Sequence, residues 1–131
     1  MSKKKILIID DDKAALESLE KLLILSGFEV GIVQDPKEAI PKIKAYSPEL
    51  ILLDLRMPHL GGLEICEILN DDKQTQGIPI IVVSALDKEA DIKKAYRLGV
   101  VGYVVKPYDF QKLLQEINKA IAYKEDTNYH E

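Results

Sequence analysis

An α/β fold built on a doubly wound parallel sheet is what this sequence predicts, and three observations predict it. Short unbroken apolar runs recur along the chain, clearest in Ile6-Leu7-Ile8-Ile9, Leu50-Ile51-Leu52-Leu53 and Ile80-Ile81-Val82-Val83. A strand covered on both faces shows such a run, whereas a strand facing water alternates with polar residues. Helical patterns separate the runs, so five strands alternate with five helices, and parallel neighbours need crossovers of that kind. Finally, the 131 residues contain no internal repeat, low-complexity tract or second domain, and suffice for one sizeable core.

The first strand, Ile6 to Ile9, ends in Asp10-Asp11-Asp12. A helix follows with Ala15, Leu19, Leu22 and Leu23 at spacings of three and four; Asp12 is its N-cap and Gly27 its stop. Phe28 to Val33 is a shorter, less uniform strand, as expected at a sheet edge. Asp35-Pro36 with Glu38 marks the next helix start. Pro41 would remove a helical bond at a cost of about 3 kcal/mol, so the helix is kinked there or begins near it. Ser47-Pro48 closes that segment, and the Leu50–Leu53 strand delivers Asp54 at its tip. Gly61-Gly62 leads into a helix from about Leu63 to Leu69, and Asn70 to Gly77 is a polar connection. Pro79 opens the Ile80–Val83 strand, which ends in Ser84-Ala85. Asp87 is read as the cap of a fourth helix that stops at Gly99. Tyr103-Val104-Val105 is the fifth strand, ending in Lys106-Pro107. Asp109 caps a last helix striped by Phe110, Leu113, Leu114, Ile117 and Ile121, and Lys124 to Glu131 reads as a polar, frayed tail.

Composition narrows the function. With 47% hydrophobic and 31% charged residues the chain is globular in kind. No apolar run approaches the roughly 20 residues that span a bilayer, so no membrane insertion is expected. The basic start Lys3-Lys4-Lys5 is followed by only four apolar residues before the aspartates, which is not a signal peptide. The single cysteine, Cys66, excludes an intramolecular disulfide and makes a reducing, cytoplasmic setting the expectation. A net charge of −4 argues against nonspecific nucleic-acid binding and favours metal cations and basic partner surfaces.

Four of the five strands end in a residue with chemistry: Asp10-Asp11, Asp54, Ser84 and Lys106. A parallel sheet brings its carboxyl ends to one edge, so these residues would share a cleft. Alone, Asp54 could equally start a turn before Met57-Pro58; its company makes it a site. Crowded carboxylates raise one another's pKa unless a cation neutralises them, and an oxygen-rich site suits Mg²⁺. Zinc would lack ligands, since His59 is alone in a loop and His130 is in the tail. Carboxylates, lysine and hydroxyl together suggest phosphoryl transfer, in which an Asp carboxylate can act as nucleophile and form an acyl phosphate. Lys106 would pair with one phosphoryl oxygen, Ser84 would donate to another, and Mg²⁺ would bridge to Asp54 and Asp11.

The ordered set of Asp10-Asp11, Asp54 with Met57-Pro58 and Gly62, Ser84-Ala85 and Lys106-Pro107 resembles the response-regulator receiver domain of bacterial two-component systems. It is similar to the single-domain chemotaxis regulators, over residues 5 to 123. The resemblance implies a flavodoxin-like, CheY-like (βα)5 domain with strand order 2-1-3-4-5 over residues 1–123, and a polar tail over 124–131. It implies that Asp54 accepts a phosphoryl group from a sensor histidine kinase or a phosphotransfer protein. Asp11, Asp54 and the Arg56 backbone carbonyl would ligate Mg²⁺, with Mn²⁺ as a substitute and Asp10 acting through water. Ser84 and Lys106 would report the phosphoryl group, Tyr103 would change rotamer, and the Lys106-Pro107 bond would be cis. Output would pass through the surface of the fourth helix, fifth strand and fifth helix, to a downstream protein or an output domain outside this sequence. Such a module is a monomer or a weak phosphorylation-linked dimer that binds no nucleic acid directly. It is not a turnover enzyme, and self-phosphorylation and slow self-dephosphorylation are its only reactions.

Blander roles are assigned elsewhere. Asp12 is a helix cap rather than a third ligand, Cys66 a packed thiol, His59 a loop residue, and Lys93-Lys94 with Arg97 a solvated face, with an acidic partner as the alternative. Two positions depart from the chemotaxis pattern. Arg56 stands where an amide, and Leu86 where a carboxylate, helps to place the hydrolytic water, so a phosphorylated Asp54 should decay slowly. Val101-Gly102 replaces an often acidic stretch, against charge-driven dimerisation. Two rivals are weighed. A haloacid-dehalogenase-like phosphatase would need Asp10 as nucleophile and a longer chain for its cap. A receiver-like adaptor would bind partners without phosphorylation.

Overall fold

The computed structural model describes residues 2–57 and 60–130, and over 126–130 the backbone only. Strands and helices alternate as β1 (Lys5–Ile9), α1 (Lys13–Leu25), β2 (Glu29–Val33), α2 (Ala39–Tyr46), β3 (Leu50–Leu53), α3 (Gly62–Asp71), β4 (Ile80–Ser84), α4 (Glu89–Arg97), β5 (Gly102–Val105) and α5 (Phe110–His130). The strands form one parallel sheet in the order β2-β1-β3-β4-β5, as expected, with β2 at an edge.

The unbroken apolar runs are explained by what covers the two faces. Ile51 and Leu53 of β3 point into a cluster with Ile43 of α2, Ile65, Cys66 and Leu69 of α3 and Ala95 of α4. Leu50 and Leu52 point the other way, against Leu16, Leu19 and Leu23 of α1 and Leu113 and Ile117 of α5. Each such side chain contributes about 1.5–3 kcal/mol on burial, so the sheet is gripped from both sides and its edge is a rigid platform. Cys66 is packed as expected, and burial pushes its thiol up to about 12.

The helix ends follow local chemistry. Asp12 accepts from the amides of Ala14 and Ala15 at the start of α1, and Gly27 supplies the positive φ of 99° that turns the chain after it. Asp35 caps a short 3-10 turn over Pro36–Glu38, and α2 begins only at Ala39. Pro41 therefore falls in the first turn of α2, where its missing N–H has no helical partner to lose. Asp109 caps α5 through the Gln111 amide. Two expectations are corrected. Asp87 does not cap α4: the N-cap position is Lys88, which makes no side-chain cap bond. The polar stretch after Lys124 is not frayed backbone, because α5 continues to His130.

Candidate functional site

Backbone bonds carry the sheet ladder one residue past the strand ends and thereby fix the side chains that follow. The Asp10 amide donates to Val33, the Asp54 amide to Ile9 and the Lys106 amide to Ser84, at 3.1, 3.0 and 2.8 Å. Asp10, Asp54 and Lys106 are thus set along the carboxyl edge of the sheet, with β4 between the last two. Carboxylate oxygens of Asp10, Asp11 and Asp54 come within 4.8 Å of one another, with Asp10 and Asp54 buried and Asp11 half-buried.

Lys106 holds this cluster together. Its Nζ lies 2.8 Å from Asp10 Oδ2 and 3.3 Å from Asp54 Oδ2. The free carboxylate oxygens are also engaged from the backbone: the Asp12 amide donates to Asp10 Oδ1 and the Arg56 amide to Asp54 Oδ1, both at 3.0 Å. Burial pushes the Asp10 carboxyl above the usual carboxylate range, with Asp54 adding to the effect, and this outweighs the Lys106 and Asp12 bonds that pull it down. Burial acts to lower the Lys106 ammonium, but the two aspartates overcome it and hold the group firmly protonated.

Three carboxylates facing one lysine leave an excess of negative charge in a poorly hydrated corner, and a small hard cation satisfies that arrangement. All donors are oxygens, which fits Mg²⁺. The site residues predicted from sequence converge here, with two set back from the centre. Ser84 is fully buried at the end of β4, and its Oγ accepts from the Leu86 amide at 3.3 Å. Tyr103 is half-buried on β5 and donates its hydroxyl to the Leu86 carbonyl at 2.7 Å, tying β5 to the loop before α4. The Lys106-Pro107 bond is cis. Arg56 is exposed and reaches Asp54 through its amide. His59 and Pro58 lie outside the described residues.

Sequence reasoning missed two contributors. Gln34, just past the end of β2, donates from Nε2 to the Asp11 carbonyl at 3.4 Å, so all five strand ends reach this edge. Its signal was position, the first polar residue after a strand. Gly62 was noted only as part of a pattern. A Cβ there would meet the Asp54 carbonyl oxygen and Leu55 Cα, each at 2.7 Å, so only glycine lets α3 start against the Asp54 loop.

The profile of the response regulator receiver domain matches residues 6–118. The chain is 30% identical to the CheY-like receiver domain protein of Methanospirillum hungatei, whose crystal structure superposes at TM-score 0.90 over 96% of this chain and 99% of that one. A response regulator structure from Chloroflexus aurantiacus, 26% identical, gives 0.87 over 92% and 99%. Among curated proteins, response regulator MprA of Mycolicibacterium vanbaalenii is 36% identical over 84% of this chain. DNA-binding response regulator MtrA of Mycolicibacterium smegmatis is 29% identical over 95%. The chain spans about half the length of these curated relatives, 47% and 53%.

Proposed function

Given that the chain belongs to the response regulator receiver domain family of two-component signalling, we propose that Asp54 is its phosphoacceptor and that residues 1–123 form the receiver unit. The observation that carries this reading is the Lys106 ammonium bridging Asp10 and Asp54 within a cluster of three carboxylates. A carboxylate oxygen of Asp54 attacks the phosphorus of a phosphohistidine on a sensor kinase or phosphotransfer protein. The new O–P bond forms as the P–N bond breaks, and the imidazole leaves with the electron pair. Asp11, Asp54 and the Arg56 carbonyl would hold Mg²⁺, or Mn²⁺ in its place, with Asp10 acting through water. The ion would neutralise the crowded carboxylates and the incoming phosphoryl oxygens.

Lys106 stays charged and would take a phosphoryl oxygen, and the buried Ser84 hydroxyl would donate to another. Turning Ser84 to the phosphoryl group would release the Leu86 amide, and Tyr103 would lose its anchor on the same residue. The signal would thus pass from Asp54 to the face made by α4, β5 and α5, and on to an output partner. Among the described residues no helix is long and apolar enough to cross a membrane.

Intact-protein mass after incubation with acetyl phosphate tests the reading. One added phosphoryl group, dependent on Mg²⁺ and absent from Asp54→Ala, is expected. No gain in the wild type, with Mg²⁺ binding still seen by tyrosine fluorescence, would transfer the protein to the adaptor reading.

A further inference from the structure

At the opposite end of the strands from Asp54, the loops entering β4 and β5 and the last turns of α5 enclose a second concavity. Ile78 and Pro79 precede β4, Val101 precedes β5, and Ala120 and Tyr123 close the groove from α5. Its volume is about 540 Å³, and it stands open to solvent along one side. Val101 and Tyr123 are 51% and 74% exposed, although both line an apolar wall. The walls are already fixed: the Val101 amide donates to Ile80 at 2.8 Å, and Lys124 Nζ reaches the Gly77 carbonyl at 2.7 Å. A preformed groove loses little ordering entropy on binding.

Charge identifies what the groove fits. Lys119 and Lys124 stand at its rim against the single carboxylate of Glu116, and neither lysine is in an ion pair among the described residues. This agrees with a wider asymmetry. Residues 88–131 have eight Lys and Arg against seven Asp and Glu, whereas residues 1–87 have ten against fifteen. The net charge of −4 is thus carried by residues 1–87. Enclosed small-molecule sites bury most of their ligand, whereas an open groove takes a side chain projecting from a partner segment.

We propose that this groove docks an acidic protein segment that places one aliphatic or aromatic side chain between Val101 and Tyr123 and its carboxylates against Lys119 and Lys124. The site is distinct from the Asp54 cleft and its occupancy does not require phosphorylation. A second copy of this chain docked by the same flank would set like charges against each other.

The test is an amide-shift titration of the full chain with the synthetic peptide Glu-Glu-Leu-Phe-Glu-Glu and with a control in which lysines replace the glutamates. Shifts confined to Gly77–Ile80, Gly99–Gly102 and Lys119–Lys124 are expected, with the control weaker by about tenfold or more. Lys119→Glu and Val101→Asp should each reduce binding about tenfold while leaving Mg²⁺-dependent phosphorylation of Asp54 intact. Equal binding of the control, shifts centred elsewhere, or no shifts at millimolar peptide would overturn the proposal. So would concentration-dependent shifts of the same amides without peptide, which would give the groove to a second copy.

Discussion

Lys106 reaches across 96 residues of sequence to donate to Asp10 Oδ2 at 2.8 Å, closer than its 3.3 Å approach to Asp54. The ammonium thus leans toward Asp10 and leaves Asp54 the less tightly held carboxylate. That division would suit the proposed role, in which Asp54 offers an oxygen to phosphorus while Asp10 stays in place.

Burial of the same Asp10, against the pull of Lys106, fixes the sign of a pH effect. Because burial raises the Asp10 pKa above its unfolded value, protonation favours the fold. The stability this group lends is present below the unfolded pKa and is lost as pH rises through the folded one. Without a divalent cation, ionising Asp10 therefore costs stability as pH rises. Asp10→Asn keeps the shape and removes the charge, and should raise stability in EDTA, read by urea unfolding at pH values where Asp10 is ionised. Mg²⁺ should stabilise the wild type more than the variant. A variant less stable than wild type in EDTA would show that the Lys106 bond outweighs burial.

Tyr103→Phe removes the donor that holds the Leu86 carbonyl at 2.7 Å. A loss of about 0.5–1.5 kcal/mol is expected from one such bond. If Tyr103 also couples the cleft to the α4 side, phosphorylation-induced amide shifts on α4 should shrink while the yield of phospho-Asp54 is unchanged. Unaltered shifts on α4 would leave Tyr103 a packing residue.

Much of this arrangement was legible because burial on both faces writes itself as composition. The Leu50–Leu53 run has no polar member, since α2 to α4 cover one face of β3 and α1 with α5 the other. Chemistry at Asp10, Asp54, Ser84 and Lys106 was legible because strand tips are punctuated by abrupt polar residues. What escaped depends on distances between segments. Asp87 has the side chain of a cap, but the loop from β4 ends one residue later, at Lys88. Gln34 joins the site through a carbonyl 23 positions away. The requirement for no side chain at Gly62 lies in the backbone of Asp54 and Leu55.

Gly62→Ala tests that last constraint. Its Cβ would fall 2.7 Å from both the Asp54 carbonyl oxygen and Leu55 Cα, atoms of backbone that cannot swing aside. A destabilisation of roughly 1–3 kcal/mol is expected from overpacking at this point. The shift should also disturb the Asp54 loop, so the rate of phosphorylation by acetyl phosphate should fall even where the variant is fully folded by circular dichroism. A folded variant with the wild-type rate would separate α3 from the placement of Asp54.

The lifetime of the acyl phosphate should be long. Hydrolysis needs a water held in line with the phosphorus opposite the Asp54 oxygen, and a nearby amide or carboxylate is what orients one. Arg56 is exposed and is seen to reach Asp54 only through its backbone amide. Leu86 is half-buried, with its side chain packed against the cluster that contains Val82 and Ala95, so it offers no polar atom beyond its backbone. Its amide and carbonyl are already taken by Ser84 and Tyr103. Leu86→Glu would supply the missing acceptor, and should speed the loss of phospho-Asp54 by about tenfold or more, within the range that positioned acid–base groups contribute. The decay is followed by intact mass in Mg²⁺ buffer after acetyl phosphate is removed. A wild-type lifetime of seconds, or no acceleration in the folded variant, would mean that the hydrolytic water is oriented by another group at the sheet edge.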